Sequence, residues 1–451
     1  MKHIKQTLST QIKVLMVLAV FGCSQINAQT HLDLQFISRY ATNTYDAGGT
    51  EISAYDATTY RLFSVNGSSG DLDIIDISNP ASPAYITSFD LSTYGASANS
   101  VAAKNGIIAI GVEAVVKQDP GMVVFIDAQG NYLNSVTVGA LPDMLTFSPN
   151  GNYVLVANEG EPNSTYSNDP EGSVSVIDIS NGVANATVST AGFTAFNNVA
   201  LGPAIRIFGP NATVAQDLEP EYITVSSNSQ TAWVTCQENN AWAIIDIPTA
   251  TVTSLVPMGF KNHNLSGNGL DASDQNSGTV NITNWPIKGM YQPDGISSYE
   301  VNGQTYIVSA NEGDVREYSA LTENLRLGSS SYVLDATAFP NASTLKNNNN
   351  LGRLNVTTKT GDTDNDGDFD EIYCFGGRSF SIWDENGTLV WDSGDQLEQK
   401  MKQLLPTYFN VSHTNNTKKN RSDDKGPEPE AIIVVPFCDS VYAFIGLERI
   451  G

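Results

Sequence analysis

"PDMLTFSPNGNYVLVANEGE", residues 142–161, opens on a proline and an acid, alternates through a strand, and turns on "SPNGN". It then runs back through a second strand to Glu159. The same plan recurs in "PEYITVSSNSQTAWVTCQENN" from Pro220, "PDGISSYEVNGQTYIVSANEGD" from Pro293 and "PEAIIVVPFCDSVYAFIGLER" from Pro429. Looser copies start at Glu51 and Asn99, and several copies continue into a third strand ending in aspartate, such as "LDIIDIS", "MVVFIDAQG", "VSVIDIS" and "AWAIIDI". Short strands of period two, broken by turn residues and repeated along the chain, specify an all-β repeat architecture. Units of about four strands fit a β-propeller, in which radial repetition leaves only short protected edges. A further unit from Gly352 brings the expected count to seven blades, starting near residues 51, 99, 142, 220, 293, 352 and 429. The strand "LDLQFISRY" (32–40) is expected to close the ring. The last copy reaches Gly451 after two strands, so the domain is expected to continue beyond that residue.

Propeller geometry turns the repeat into a site. The first strand of a blade is innermost and the second returns antiparallel, so the start of one and the end of the other share a face near the axis. This places Asp143 by Glu159, Glu221 by Glu238, Asp294 by Glu312 and Glu430 by Glu448. Glu51 and Glu113 add single acids. Arg353 and Arg378 interrupt the pattern, and Arg316, Lys425 and Arg449 follow close by. The expectation is an acid-lined channel mouth with a few cations. Such a mouth suits a divalent metal or, with arginines, an anion such as phosphate. A recurring acid can equally cap backbone N–H groups or pair with a neighbouring blade.

"GDTDNDGDFDEIY" (361–373) carries a second cluster: Asp362, Asp364, Asp366, Asp368 and Asp370 at alternate positions, with Gly367 at the turn. Calcium takes six to eight oxygens, and alternate residues of a tight loop aim carboxylates inward. An EF-hand needs a glutamate where Tyr373 stands, and flanking helices are not indicated. A structural calcium hairpin between the first two strands of a blade is the expectation, with a solvated acidic turn as the alternative.

The 451-residue chain has a net charge of −25 and a pI near 4.3, which argues against nucleic acid and anionic membranes as partners. Lys2, Lys5 and Lys13 precede "VLMVLAVFG", an apolar run too short for a stable transmembrane span, and "INAQ" offers cleavage after Ala28. Residues 1–28 therefore read as a signal peptide and residues 29–451 as one exported, monomeric domain at a bacterial cell surface, in the medium or in the periplasm. A lipoprotein site at Cys23 is a weaker reading, since Phe21 fits that signal poorly. Cys236, Cys374 and Cys438 are scattered and odd in number, so neither a disulfide framework nor a zinc site is implied.

Together with "LSGNGLDASDQ", "NWPIKGMYQPDG", "FGGRSFSIWD" and "RSDDKGPEPE", the four aligned segments resemble the choice-of-anchor I family, secreted bacterial propeller-like domains, over Leu34–Gly451. The resemblance implies surface display through variable C-terminal anchors. Some members carry alkaline phosphatase labels, and no catalytic residue set transfers. His31, His263 and His413 are too far apart for a zinc motif, and no G-x-S-x-G elbow exists. The loop 265–278, with Asp271 and Asp274, could reach the mouth as a lid, while most of the five tryptophans read as core. Two functions compete. One is a calcium-stabilised binding module for an extracellular glycan, protein or phosphorylated small molecule. The other is a metal-dependent phosphoesterase of phytase-like type, using Glu159 or Glu312 as ligand or base, Arg353 and Arg378 for the phosphoryl group, and a second divalent metal at the mouth.

Overall fold

Residues 142–192 fold as the sequence pattern dictates, into an antiparallel meander of Pro142–Phe147, Tyr153–Asn158, Ser173–Asp178 and Thr187–Gly192. Alternate residues of a strand face opposite sides, and here both sides are covered. Val154 and Val156 pack with Ala109, Val123 and Phe125 of the preceding sheet, while Leu155 and Ala157 pack with Ile223, Ala232 and Val234 of the following one. That double burial is why the second strands read as near-continuous apolar runs. Each fully buried valine or leucine contributes about 1.5–3 kcal/mol.

The computed structural model describes residues 34–44 and 47–450. Ser38–Gly451 forms one unit, and Met1–Ile37 is assigned to another. Four further meanders repeat the plan. Blade one spans Ser53–Phe89, blade two Ala98–Ala140 and blade four Ile223–Pro257, with residues 142–192 as blade three. Blade five takes Ile296–Val301 and Gln304–Asn311 from one segment, then Ser379–Asp384 and Leu389–Asp392 from far along the chain. Blade six is the hairpin Pro429–Phe437 and Ser440–Leu447. First strands neighbour one another in chain order and line an axial channel, to which Ala54, Val101, Leu145, Tyr222, Asp294 and Ala431 each contribute. The molecule is a β-propeller.

Six spokes, not seven, are present among the described residues. The segment from Gly352 does not form its own blade, because Asn311 claims its second half. Asn311 pairs with Ser379 in register, and its side-chain amide donates to the Ser379 and Ser381 hydroxyls at 3.2 and 2.7 Å. The first half joins a side sheet ordered Phe260–Asn262, Lys288–Met290, Tyr373–Cys374, Asn355–Thr357, Asn324–Arg326. Residues 34–40 lie in no strand, and the rest of the expected closing strand, like the expected signal peptide, falls outside the described residues. Trp233, Trp242 and Trp383 fill the interface of blades four and five, whereas Trp391 is 40% exposed. Cys236 and Cys374 are buried free thiols, and Cys438 is an exposed one. Among the described residues no helix is long and apolar enough to cross a membrane.

Candidate functional site

The mouth is built by a repeated backbone device. The residue before the repeat's proline is left-handed in three copies: Leu141 at φ 51°, Gln292 at 41° and Glu428 at 50°. Each such non-glycine residue costs about 1–3 kcal/mol. Its carbonyl is then turned toward the end of the second strand. Glu159 N–H donates to Leu141 O at 2.9 Å, Gly313 N–H to Gln292 O at 3.1 Å, and Glu448 N–H to Glu428 O at 2.9 Å. Two acids of one blade are thereby held side by side. Blade four differs, fixing Glu221 through its N–H to Thr235 O at 2.9 Å.

Asp143, Glu159, Glu221, Asp294, Glu312, Glu430 and Glu448 line one open cavity of about 350 Å³, with Gln237, Asp314, Lys425 and Arg449. The acids of the cavity differ in how they are neutralised. Lys425 pairs with Glu312, and Glu312 accepts from Gln237 at 3.3 Å. Glu428 receives Arg421 and, at 3.0 Å, the Arg449 guanidinium, which also reaches Glu448 at 2.7 Å. Those cations hold Glu428 below the usual carboxylate range against its desolvation. Asp143, Glu159, Glu221 and Asp294 have no ion pair among the described residues, although Asp294 stands near Glu312 and Lys425. Desolvation, then neighbouring carboxylates, pushes Glu159, Glu221 and Asp294 well above the carboxylate range. Asp143 is raised from 3.8 to about 6, first by desolvation and then by Glu161, although a hydrogen bond shared with Glu159 offsets part of the rise.

The remaining acids and arginines of the expected ring stand elsewhere. Glu238 does not line the cavity; its Oε2 is buried without a partner, and desolvation, offset in part by Arg316, raises it to about 7. Arg316 is buried between Asp217 at 2.7 Å and Glu219 at 3.0 Å, where it neutralises an interior cluster instead of the mouth. Arg353 bridges Asp274 at 3.0 Å and Asp423 at 3.2 Å. Arg378 is buried against Glu398 at 2.8 Å and the carbonyls of Asp271, Ser422 and Asp424. Both belong to the side sheet's surroundings, since residues 352–378 never enter the ring. Loop 265–278 is tied there too, by Asp271 to Lys419 at 3.1 Å and by Asp274 to Arg353, and is not a lid. Glu51 and Glu113 do not line the cavity. Asp314 and Gln237 were missed. Asp314 lies two residues past the repeat's glutamate, and Gln237 one residue before it.

The aspartate loop joins Asn355–Thr357 to Tyr373–Cys374 within the side sheet, rather than two strands of a propeller blade. Two trios bring carboxylate oxygens within 4.8 Å of one another: Asp362, Asp364 and Asp370, and Asp335, Asp368 and Asp370. Asp366 belongs to neither; its carboxylate accepts the Asp368 N–H at 3.1 Å. Asp335 was invisible to the motif because it arrives from 27 residues before Asp362. Gly367 has φ 99°, which supplies the turn.

A match to the choice-of-anchor I domain covers residues 51–451. The chain belongs to the choice-of-anchor I family. Among curated proteins, this choice-of-anchor I domain is similar to the mesenchyme-specific cell surface glycoprotein of Strongylocentrotus purpuratus, 28% identical over 275 residues, covering 54% of this chain and 35% of that protein. It is also similar to Gigasin-3a of Magallana gigas, 37% identical over 107 residues, covering 22% of this chain and 37% of that protein. The matches thus span little more than a third of either relative. Solved structures give loose superpositions. Hydrazine synthase of Kuenenia stuttgartiensis has TM-score 0.37 at 13% identity, covering 60% of this chain and 79% of that one. The Cps50 (Swd1) β-propeller domain of Myceliophteria thermophila has TM-score 0.34 at 11% identity, covering 78% and 87%. No functional residue is taken from either.

Proposed function

We propose that this choice-of-anchor I domain is a surface-displayed, exported binding module: a propeller stiffened by calcium at the aspartate loop, which recognises an extracellular ligand with its acid-lined mouth. The observation that carries this reading is the set of mouth carboxylates outside any ion pair. Desolvated carboxylates without a paired cation are expensive, and Asp143, Glu159, Glu221 and Asp294 facing one open cavity are best understood as a surface kept ready for a cation-bearing partner. The cell-surface glycoprotein among the relatives is consistent with display.

The phosphoesterase alternative loses its anion-binding groups, because Arg353 and Arg378 are engaged elsewhere and the mouth's cations, Lys425 and Arg449, are paired with glutamates. The test is a panel of glycans and matrix proteins presented to the immobilised domain. Binding is expected, with loss in Glu159→Gln/Glu221→Gln and retention in Asp364→Ala. Turnover of a chromogenic phosphomonoester that disappears with chelator and in Glu312→Gln would overturn the binding-module reading.

A further inference from the structure

We infer that a second binding site lies where blade four meets the side sheet, and that it takes a neutral hydroxylated ring, one sugar unit of a glycan. A cavity of about 460 Å³ opens there between segment 203–208, Phe260 and segment 359–373. Its size falls within the roughly 300–1,000 Å³ of small-molecule sites. It shares no lining residue with the mouth, so the inference stands apart from the reading of the mouth.

The wall is fixed before any ligand arrives. Arg206 N–H donates to Asn239 O at 2.9 Å, and its guanidinium donates to Glu238 O at 2.7 Å, both in blade four. The same guanidinium reaches Glu323 and, at 3.2 Å, the Thr357 hydroxyl at the side sheet. Those bonds leave Arg206 only 3% exposed, with its Nε buried and without an acceptor, although the residue lines the cavity. Buried donors are almost always paired, and an oxygen entering from the cavity is the partner this wall lacks. The apolar part of the wall is also held in place. Phe260 is half-buried and meets the buried Tyr373 ring edge-on, with centroids 4.6 Å apart at 65°.

The polar groups around those rings select the charge of the ligand. Arg206 and Lys359 only donate, the Asp362 and Glu371 carboxylates only accept, and the Thr360 and Thr363 hydroxyls do either. Lys359 is exposed and enters no ion pair among the described residues. Glu371 is already paired with Lys288 at 2.6 Å. An anion placed here would face the carboxylates, and a cation would face the arginine and the lysine. A wholly apolar ligand would cover all of these groups without pairing any, which is costly. A sugar hydroxyl donates and accepts at once, and the C–H face of a pyranose covers an aromatic ring. The neutral sugar is the class whose every group finds a counterpart on this wall.

The test is saturation-transfer NMR on the full chain, in buffer containing calcium because Asp362 also belongs to a carboxylate trio. The probes are the methyl glycosides of glucose, galactose, mannose and N-acetylglucosamine, with glucuronic acid and glucosamine as charged comparators. Transfer to at least one neutral glycoside is expected. Titration of the strongest should show affinity weakened about fivefold or more in Lys359→Ala. Binding should be absent in Thr360→Trp, which puts an indole in the cavity, and unchanged in Glu159→Gln/Glu221→Gln. Melting curves verify folding, and Pro203→Trp, at an exposed position of the rim, serves if Thr360→Trp fails to fold. No transfer to any neutral glycoside, transfer confined to the charged comparators, or binding that survives the tryptophan variants overturns the inference. Loss in the mouth variant alone would assign the sugar to the mouth, overturning this site while the reading of the mouth stands. Loss in the tryptophan variants alone supports this site, whatever becomes of the mouth.

Discussion

Asp143 and Glu159 share a hydrogen bond at the mouth, held side by side because Glu159 N–H donates to Leu141 O at 2.9 Å. Two carboxyl groups can share such a bond only when one keeps a proton, so the pair is stable as an acid–carboxylate couple and strained as two anions. The strand pairing that makes the blade therefore also imposes the electrostatic cost.

That cost sets a pH dependence. An acid whose folded value lies above its unfolded one binds more protons in the native state, so stability falls as pH rises. Its contribution is intact below the ordinary 3.8 of Asp143, and the loss is complete once pH passes about 6 for Asp143 and about 8 for Glu448. Thermal melts without added cations should show a lower melting temperature at pH 8 than at pH 5. Asp143→Asn/Glu159→Gln should raise the value at pH 8 by about 2 °C or more and flatten the slope. An unchanged slope would mean that the pair ionises freely.

Lys425 is the opposite case. It is 8% exposed and anchors Glu312, with Asp314 and Glu428 each 3.8 Å away. Removing one partner of a buried ionic group leaves the others uncompensated, at about 3–5 kcal/mol. Lys425→Met should accordingly destabilise the domain by about that amount in urea unfolding. Lys425→Met/Glu312→Gln should recover much of the loss, which a role for Lys425 in packing alone would not produce.

The propeller and its acid positions were legible in the sequence because both follow from a short period. The proline, the acid and the glutamate 16 to 18 residues later recur with the strands that place them, as between Asp143 and Glu159 or Asp294 and Glu312. Long-range choices were not legible. Nothing local in "FGGRSFSIWD" says that Ser379 pairs with Asn311 rather than with the strand just before it, and that one pairing removed a blade and took Arg353 and Arg378 from the mouth. Arg316 failed for a related reason: its partners Asp217 and Glu219 lie about a hundred residues earlier, outside any repeat.

Arg316 tests that distinction between interior and mouth. It reaches the Asp217 carboxylate and carbonyl, both at 2.7 Å, and its Nε donates to Glu219 at 3.2 Å, a planar fork that lysine cannot reproduce. Arg316→Lys should lower stability by about 2 kcal/mol or more in urea unfolding, with Arg316→Met worse, since two buried acids then lose their counter-charge. Ligand affinity of the variant, measured well below its melting temperature, should stay within about threefold of the parent. A larger loss of affinity at unchanged stability would return Arg316 to the mouth.

The aspartate loop can be divided residue by residue. Asp370 belongs to both carboxylate trios, and the Thr363 N–H and hydroxyl fix its Oδ2 at 2.8 and 2.6 Å. Asp364 and Asp368 are raised from the ordinary aspartate value by desolvation and then by neighbouring aspartates, so both stand to gain from a cation. Calcium bound only by the folded state adds about 2.7 kcal/mol at a hundred times its dissociation constant. Melting in calcium against melting in chelator should show a positive shift for the parent. Asp370→Asn should abolish it, because both trios lose a member. Asp366→Asn should retain most of the shift, since that carboxylate belongs to neither trio. An equal loss in both variants would mean that the ion is held by a geometry other than these trios. No shift in the parent would leave the loop an acidic turn without a structural ion.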